Sequence, residues 1–266
     1  MSECKRTLPG IKLVVAAIPG IDLIDPDDVK DVDLFVFDEN KQFIATEKAK
    51  MNELVYLSYP TAGKQLYVVA IANALSKQSL VVPKLGEGLS AGYISLSKEA
   101  VFEGMQLYAS PDDLFRGELN IDTEEAKTEP YELPLRRIVS SVSLKVTGWQ
   151  EYLQTESADY SAFIGSPYNT IDFRGGLFML TRASDSPVNT AIQGLTRLLS
   201  SAEGENVSIC LYQGRKHIHT VSTDSEGKPL KAINGKLLEV WIDFSGQLNV
   251  SIKYSQWGKE TVWKEF

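Results

Sequence analysis

Residues 237–254 read LLEVWIDFSGQLNVSIKY, and the end of this stretch decides the fold class. From Leu248 to Tyr254, the apolar residues Leu248, Val250, Ile252 and Tyr254 alternate with Asn249, Ser251 and Lys253. A period of two puts the first set on one face of a β-strand and the second set on the other. Just before it, FSGQL (244–248) supplies a tight turn, and LLEVWIDF (237–244) carries the β-branched and aromatic side chains that pack well on a pleated surface.

The same signature recurs along the chain in IKLVVAAI (11–18), VDLFVFD (32–38), QLYVVAIAN (65–73), VSLKVT (142–147), GLFMLTR (176–182) and VSICLYQ (207–213). In the last of these, Cys210 alternates like a buried strand residue. FDENKQF, with Asp38, Glu39 and Asn40, reads as a hairpin turn, and DSEGKP (224–229) as another. Helical periodicity is nearly absent. SPDDLFRGEL (110–119) has room for a helical turn. In NTAIQGLTRLLSSA (189–202), Ile192, Leu195 and Leu199 fall at helical spacing, but Gly194 and Thr196 favour strand. Many short strands separated by turns mean sheet packed on sheet.

With 266 residues, two domains are expected. Residues 1–133 hold 13 basic and 22 acidic side chains, a net of −9, whereas 134–266 hold 14 and 13, a net of +1. An acidic first half argues against nucleic acid, whose binding depends on phosphate neutralisation. The charge changes sign beside NIDTEEAKTEPYELP (120–134), which reads as a linker or a crossing between sheets. The expected organisation is a tether at 1–10, one β-sandwich at 11–134 and a second at 135–266. No apolar run approaches the ~20 residues of a membrane-spanning helix.

No constellation for catalysis is found: the chain has no phosphate-binding glycine loop, nucleophile elbow or paired-cysteine motif. His217 and His219 fall on one face of an expected strand, but catalytic zinc wants three protein ligands and these are the only two histidines, so surface histidines are the better account. DLIDPDDVKDVD (22–33) gathers six aspartates but lacks the glycine and closing glutamate of a helical calcium loop, and is expected to be a solvated acidic loop. Trp149, Trp241, Trp257 and Trp263 could form a sugar-stacking platform, yet strand alternation favours aromatics that fill a core or its rim. Neither a cofactor nor a metal is expected.

VKDVDLFVFDENKQFI, GKQLYVVAIAN, LPLRRIVSSVSLKV, LTRLLSSAEGENVSICLYQ and GKPLKAINGKLLEVWIDFSGQLNVSIKYSQWG, in that order, resemble the fimbrial anchor and minor subunits of Bacteroidales, the family of FimB- and Mfa2-type proteins of type V pili. The resemblance spans about residues 11–258. It implies two tandem transthyretin-like antiparallel β-sandwiches and a lipoprotein of the cell outer membrane, acylated on an N-terminal cysteine. Cys4 is the candidate for that lipid, with KRTLPG as a short tether. The implied partners are a fimbrial stalk subunit and, through the lipid, the outer membrane.

In that family, as the resemblance implies, stalk subunits lose their first strand to an Arg-specific protease and accept the C-terminal strand of a neighbour, whereas anchor subunits keep theirs. After Arg6 the next arginine is Arg116, so no arginine is placed to release the first strand alone. The strand carrying Ile11, Leu13 and Val15 is therefore expected to be retained. Trp257, Val262, Trp263 and Phe266 are candidate fillers of a neighbouring groove, although KETVWKEF could equally be the final edge strand of the second domain. The competing account is a surface glycan-binding β-sandwich lipoprotein; an enzyme is not expected.

Overall fold

The stretches at 32–38, 65–73, 142–147, 207–213, 237–244 and 248–254 form strands, as do Gly10–Val15 within 11–18 and Leu177–Phe178 within 176–182, whose remaining ends at 17–18 and 180–182 lie outside the described residues, and the described residues are mainly β. The computed structural model describes residues 10–16, 24–57, 59, 65–124, 129–157, 159–179 and 188–257. Among these, the α-helix is one short element, Trp149–Leu153, and no helix is long and apolar enough to cross a membrane.

A seven-stranded sheet is built from first-half residues in the spatial order Phe43–Ala49, Val32–Phe37, Gln65–Ala72, Phe115–Asp122, Tyr131–Arg137, Gly10–Val15 and Leu54–Tyr56. Its pairings are antiparallel except for Gly10–Val15, which runs parallel to Tyr131–Arg137. The sheet curls over on itself. Phe115–Asp122 pairs with Gln65–Ala72 along its whole length, but with Tyr131–Arg137 only at Phe115 and Arg116. Beyond those two residues the strands cross, and Leu133 and Leu135 join Ile11, Leu13, Leu34 and Val68 in one core. Gly117 permits the close crossing, because a Cβ there would collide with the Leu133 side chain and the Pro134 carbonyl oxygen.

In the second half, Thr196–Leu199, Val139–Thr147, Lys236–Asp243 and Asn249–Gln256 form a four-stranded sheet, with Val139–Thr147 parallel to Lys236–Asp243. It packs through a second core on a six-stranded sheet. That sheet takes Lys216–Val221, Ser208–Gln213, Ser161–Ser166 and Val188–Ala191 from the second half, and Met105–Tyr108 and Lys98–Phe102 from the first. A further four-stranded sheet likewise joins Leu177–Phe178 and Thr170–Asp172 to Tyr93–Leu96 and Gln78–Val81. Two sheets therefore mix strands from either side of residue 134, and the position 134/135 itself lies inside a strand. A third core seals the junction: Phe35, Phe37 and Val69 meet Phe173, Val188 and Trp257, with the Phe35 and Phe173 ring centroids 4.5 Å apart.

Several sequence expectations are corrected. Residues 110–119 hold no helical turn, because Phe115, Gly117 and Ile121 alternate inward against exposed Glu118, Asn120 and Asp122. Residues 131–134 belong to a strand and not to a linker, with Tyr131, Leu133 and Leu135 turned to the core. Cys210 is only half-buried, since its strand turns Ile209 and Leu211 inward instead. Between 189 and 202 the preference for strand holds, in Val188–Ala191 and Thr196–Leu199, with Gly194 at φ 66° in the intervening turn.

Gly117→Ala is expected to destabilise the full chain by about 1–3 kcal/mol through overpacking at the crossing. Urea denaturation checks this, and an unchanged midpoint would show that the crossing is loose.

Candidate functional site

The first strand sits inside a sheet, flanked on both sides. Ile11 to Val15 lie opposite Tyr131 to Leu135, and Gly10, Ile11 and Lys12 lie opposite Tyr56, Val55 and Leu54. The pairing continues to Ala16, whose N–H donates to the Leu135 carbonyl at 2.9 Å. Ile11 and Leu13 are fully buried and Val15 is half-buried against the same core, while Lys12 faces solvent. Taking this strand away would leave a groove with an unpaired backbone edge along 131–135 and an apolar floor, which is the chemistry that accepts a foreign strand. Here the groove is filled by the chain itself.

The last described strand, Asn249–Gln256, is the edge of its sheet and ends at Trp257. Trp257, expected as a filler of a neighbour's groove, instead fills its own protein's junction core. The Arg137 guanidinium lies 4.2 Å from its ring centroid and that of Arg197 5.4 Å, both within cation–π range. The Trp257 carbonyl also accepts from Arg137 Nη1 at 3.4 Å. Cys4, Val262, Trp263 and Phe266 lie outside the described residues.

Arg137 is the hub of this end. Its side chain is 2% exposed, and its Nε and Nη2 each donate to the Asp113 carboxylate at 2.8 Å, with Asp28 3.7 Å away. Asn73, held at φ 62°, ties the same loops together: its Oδ1 accepts from Lys30 N–H at 2.7 Å, and its Nδ2 donates to the carbonyls of Asp28 and Asp113, each at 2.8 Å. The aspartates of the acidic segment thus cap a short 3₁₀ turn, Pro26–Asp28, and Asp28 also faces Arg137.

Arg116 makes a second tie between halves. Its Nε and Nη2 donate to the Phe173 carbonyl at 3.0 and 2.6 Å, and Nη2 also reaches Glu118 at 2.6 Å. Arg116 is the second residue of its strand, paired with Ile71 on one side and Arg136 on the other. Burial opposes ionisation of Glu118, but the Tyr67 hydroxyl and Arg116 outweigh it and hold the carboxyl below its usual range. Burial, followed by the hydrogen bond to Glu118 and its charge, pushes the Tyr67 phenol up to about 12. Tyr59 is likewise pushed up to about 12, by burial and by its hydrogen bond to Glu47.

The two histidines do not share a face. A bulge sets His219 opposite Leu211 and His217 opposite Tyr212, so the rings point to opposite sides, His219 towards Phe244 and His217 towards Tyr212. Among the described residues, no group of three or more His, Cys, Asp and Glu is placed to hold a metal ion. Nor do the described tryptophans form a platform, since Trp149 and Trp257 are buried and Trp241, beneath Lys145, is exposed on a sheet face.

Fold and strand arrangement together define a multi-sheet β-sandwich protein in which the strand Gly10–Val15 is paired on both flanks within its own sheet. A sequence profile of the fimbrillin-A associated anchor proteins Mfa1 and Mfa2 matches residues 12–263, and the chain belongs to this family. It is 25% identical over 163 residues to the major fimbrium anchoring subunit FimB of Porphyromonas gingivalis, a match covering 56% of this chain and 53% of that protein, so it spans about half the length of that relative. Two solved structures share the fold. The fimbrial anchor protein Mfa2 of P. gingivalis superposes with a TM-score of 0.60 at 12% identity, over 94% of this chain and 97% of that one. A Bacteroides thetaiotaomicron protein described as polysaccharide binding does so with a TM-score of 0.66 at 14% identity, over 95% and 99%. Family membership makes the chain a fimbrial component of the cell surface.

Asp113→Ala should cost about 3–5 kcal/mol, because it leaves the Arg137 charge buried without its main partner; equilibrium unfolding in urea measures it, and a loss below 1 kcal/mol would contradict the hub. In alkali, the neutral Tyr59 and Tyr67 phenols are favoured by the fold. Their contribution is present below about pH 10 and lost as pH rises towards about 12. Absorbance titration of the 11 tyrosines should show a late phase that Tyr59→Phe and Tyr67→Phe each reduce.

Proposed function

We propose that this chain is the anchor or accessory subunit that links a fimbrial polymer to the outer membrane by β-strand complementation. The observation that carries it is the first strand: with Ile11 and Leu13 fully buried and the backbone paired on both flanks, the chain's own groove is closed to a donor. A subunit with a closed groove and a free donor strand can end a polymer but not extend it. The donor is assigned to residues 258–266, with Val262, Trp263 and Phe266 as groove fillers, leaving the stalk subunit as acceptor. Trp257, clamped by Arg137 and Arg197, is the fixed root from which that segment departs.

At the other end, acylation of Cys4 supplies the membrane link. Residues 5–9 then separate the lipid from the strand that starts at Gly10, so tension on the fibre is carried through the seven-stranded sheet. A single acyl chain holds weakly, whereas several on one residue anchor stably. The division at 134/135 is kept as a proposal about chain organisation, with strands 78–108 reaching into the second half.

Two variants in the fimbriated cell test this function. Deletion of Lys259–Phe266 should leave the protein folded and on the cell but shed the fibres, whereas Cys4→Ser should release fibre and subunit together. Fibres that stay attached after both changes would refute the proposal.

A further inference from the structure

Tyr131–Arg137 is held differently along its length. Tyr131 to Leu135 lie opposite Ile11 to Val15, whereas Phe115–Asp122 meets this strand only at Arg136 and Arg137. Among the described residues, Gly10–Val15 is thus the sole ladder partner of 131–135. Leu133 and Leu135 also share their core with Ile11, Leu13 and Phe115. Cross-strand pairs are what fix a strand in its sheet, so the position of Tyr131–Arg137 depends on the first strand up to Leu135 and on two rungs beyond it.

Those two rungs carry Arg137. Its guanidinium is within cation–π range of two rings that belong to different cores, 5.2 Å from the centroid of Phe115 in the first-half core and 4.2 Å from that of Trp257 in the junction core. Asp113 holds the fork through Nε and Nη2, each 2.8 Å from its carboxylate, while Nη1 reaches the Trp257 carbonyl at 3.4 Å. A guanidinium is planar with fixed donor directions, so Arg137 can meet Asp113, both rings and that carbonyl together only from a narrow range of backbone positions. Arg197, the other cation at the Trp257 ring, stands on Thr196–Leu199, which pairs with Val139–Thr147 in a different sheet. It holds the ring without reporting on the first strand.

We propose that Arg137 is a positioning residue for the C-terminal segment: it couples the seating of the first strand to the seating of Trp257, so that the segment beyond Trp257 departs from a fixed root only while Gly10–Val15 is in its sheet. The role of that segment as a donor rests on the anchoring function proposed above, whereas the coupling lies wholly within the chain. Coupling between two sites is reciprocal, so loosening the seat of Trp257 must loosen the first strand. A chain that lost its first strand would in turn present no directed donor, which makes strand loss and donation mutually exclusive.

Hydrogen exchange on the isolated full chain, read by mass spectrometry, tests the coupling. Trp257→Leu leaves Arg137 and Asp113 in place but removes the ring, and should speed exchange of the peptide containing residues 10–16 about fivefold or more. The peptide containing Ser208–Gln213, in the second-half core, serves as the control and should change far less. Trp257→Phe, which keeps a ring for Arg137, should restore most of the protection at 10–16. In an Arg137→Gln background, Trp257→Leu should add less than about twofold at 10–16, because the link is already cut. Exchange at 10–16 that is unchanged by Trp257→Leu, that rises equally at 208–213, or that rises as much in the Arg137→Gln background would overturn the proposal. The fate of the anchoring function is read separately: fibres that stay attached after deletion of Lys259–Phe266 would refute the donor and leave the coupling standing, and a negative result in exchange would do the reverse.

Discussion

Ile11 and Leu13 close the sheet on which the first half depends. Each lies opposite a residue of Tyr131–Arg137, and both bury their side chains among Leu34, Val68 and Leu133. Without them the curled sheet would expose an apolar trough beside an unpaired backbone edge. The cost of exposing two buried aliphatic side chains, about 1.5–3 kcal/mol each, is large against a typical net stability of about 5–15 kcal/mol. Loss of this strand would thus cost the fold stability and at the same time open a groove in the sheet, which is why the proposed role rests on its staying in place.

The same economy appears at the junction of the halves. Strands 78–108 pair with strands that follow residue 160, Arg116 reaches across to the Phe173 carbonyl, and Arg137 connects Asp113 to Trp257. These are charge-assisted or cation–π contacts made in places shielded from water, where they gain strength over surface equivalents. The two halves therefore cannot part without breaking backbone ladders as well as side-chain contacts.

The β class was legible wherever one face is buried and the other wet. Residues 248–254 alternate in sequence and in burial alike, and the turns at Asp38 and Asp224 form as their side-chain chemistry predicts, each Oδ1 accepting from two backbone N–H groups. Phe115–Asp122 was hidden by Arg116, Glu118 and Asp122, which look like a polar loop until Gly117 is seen to mark a crossing. The face of His219 was illegible, because a bulge carries no local sequence mark here. Trp257 has the same difficulty in stronger form: its partner Arg137 lies 120 residues away, so nothing near it says whether the ring serves its own chain or a neighbour. The family resemblance, by contrast, lies in the order of many weak blocks, and the family profile matches across the same span, residues 12–263.

The central claim is that Gly10–Val15 remains in its own sheet while the subunit is attached to a fibre. Hydrogen exchange on the native, fibre-bound protein, read by mass spectrometry of the peptide that contains residues 10–16, tests it most directly. The peptide should be present, and the amides of Val14 and Ala16, which face the strand Tyr131–Arg137, should exchange as slowly as those of Val68 and Val69 at the sheet centre. A fibre-bound protein whose mature chain begins after residue 15, or in which these amides exchange at the rate of an open chain, would contradict it.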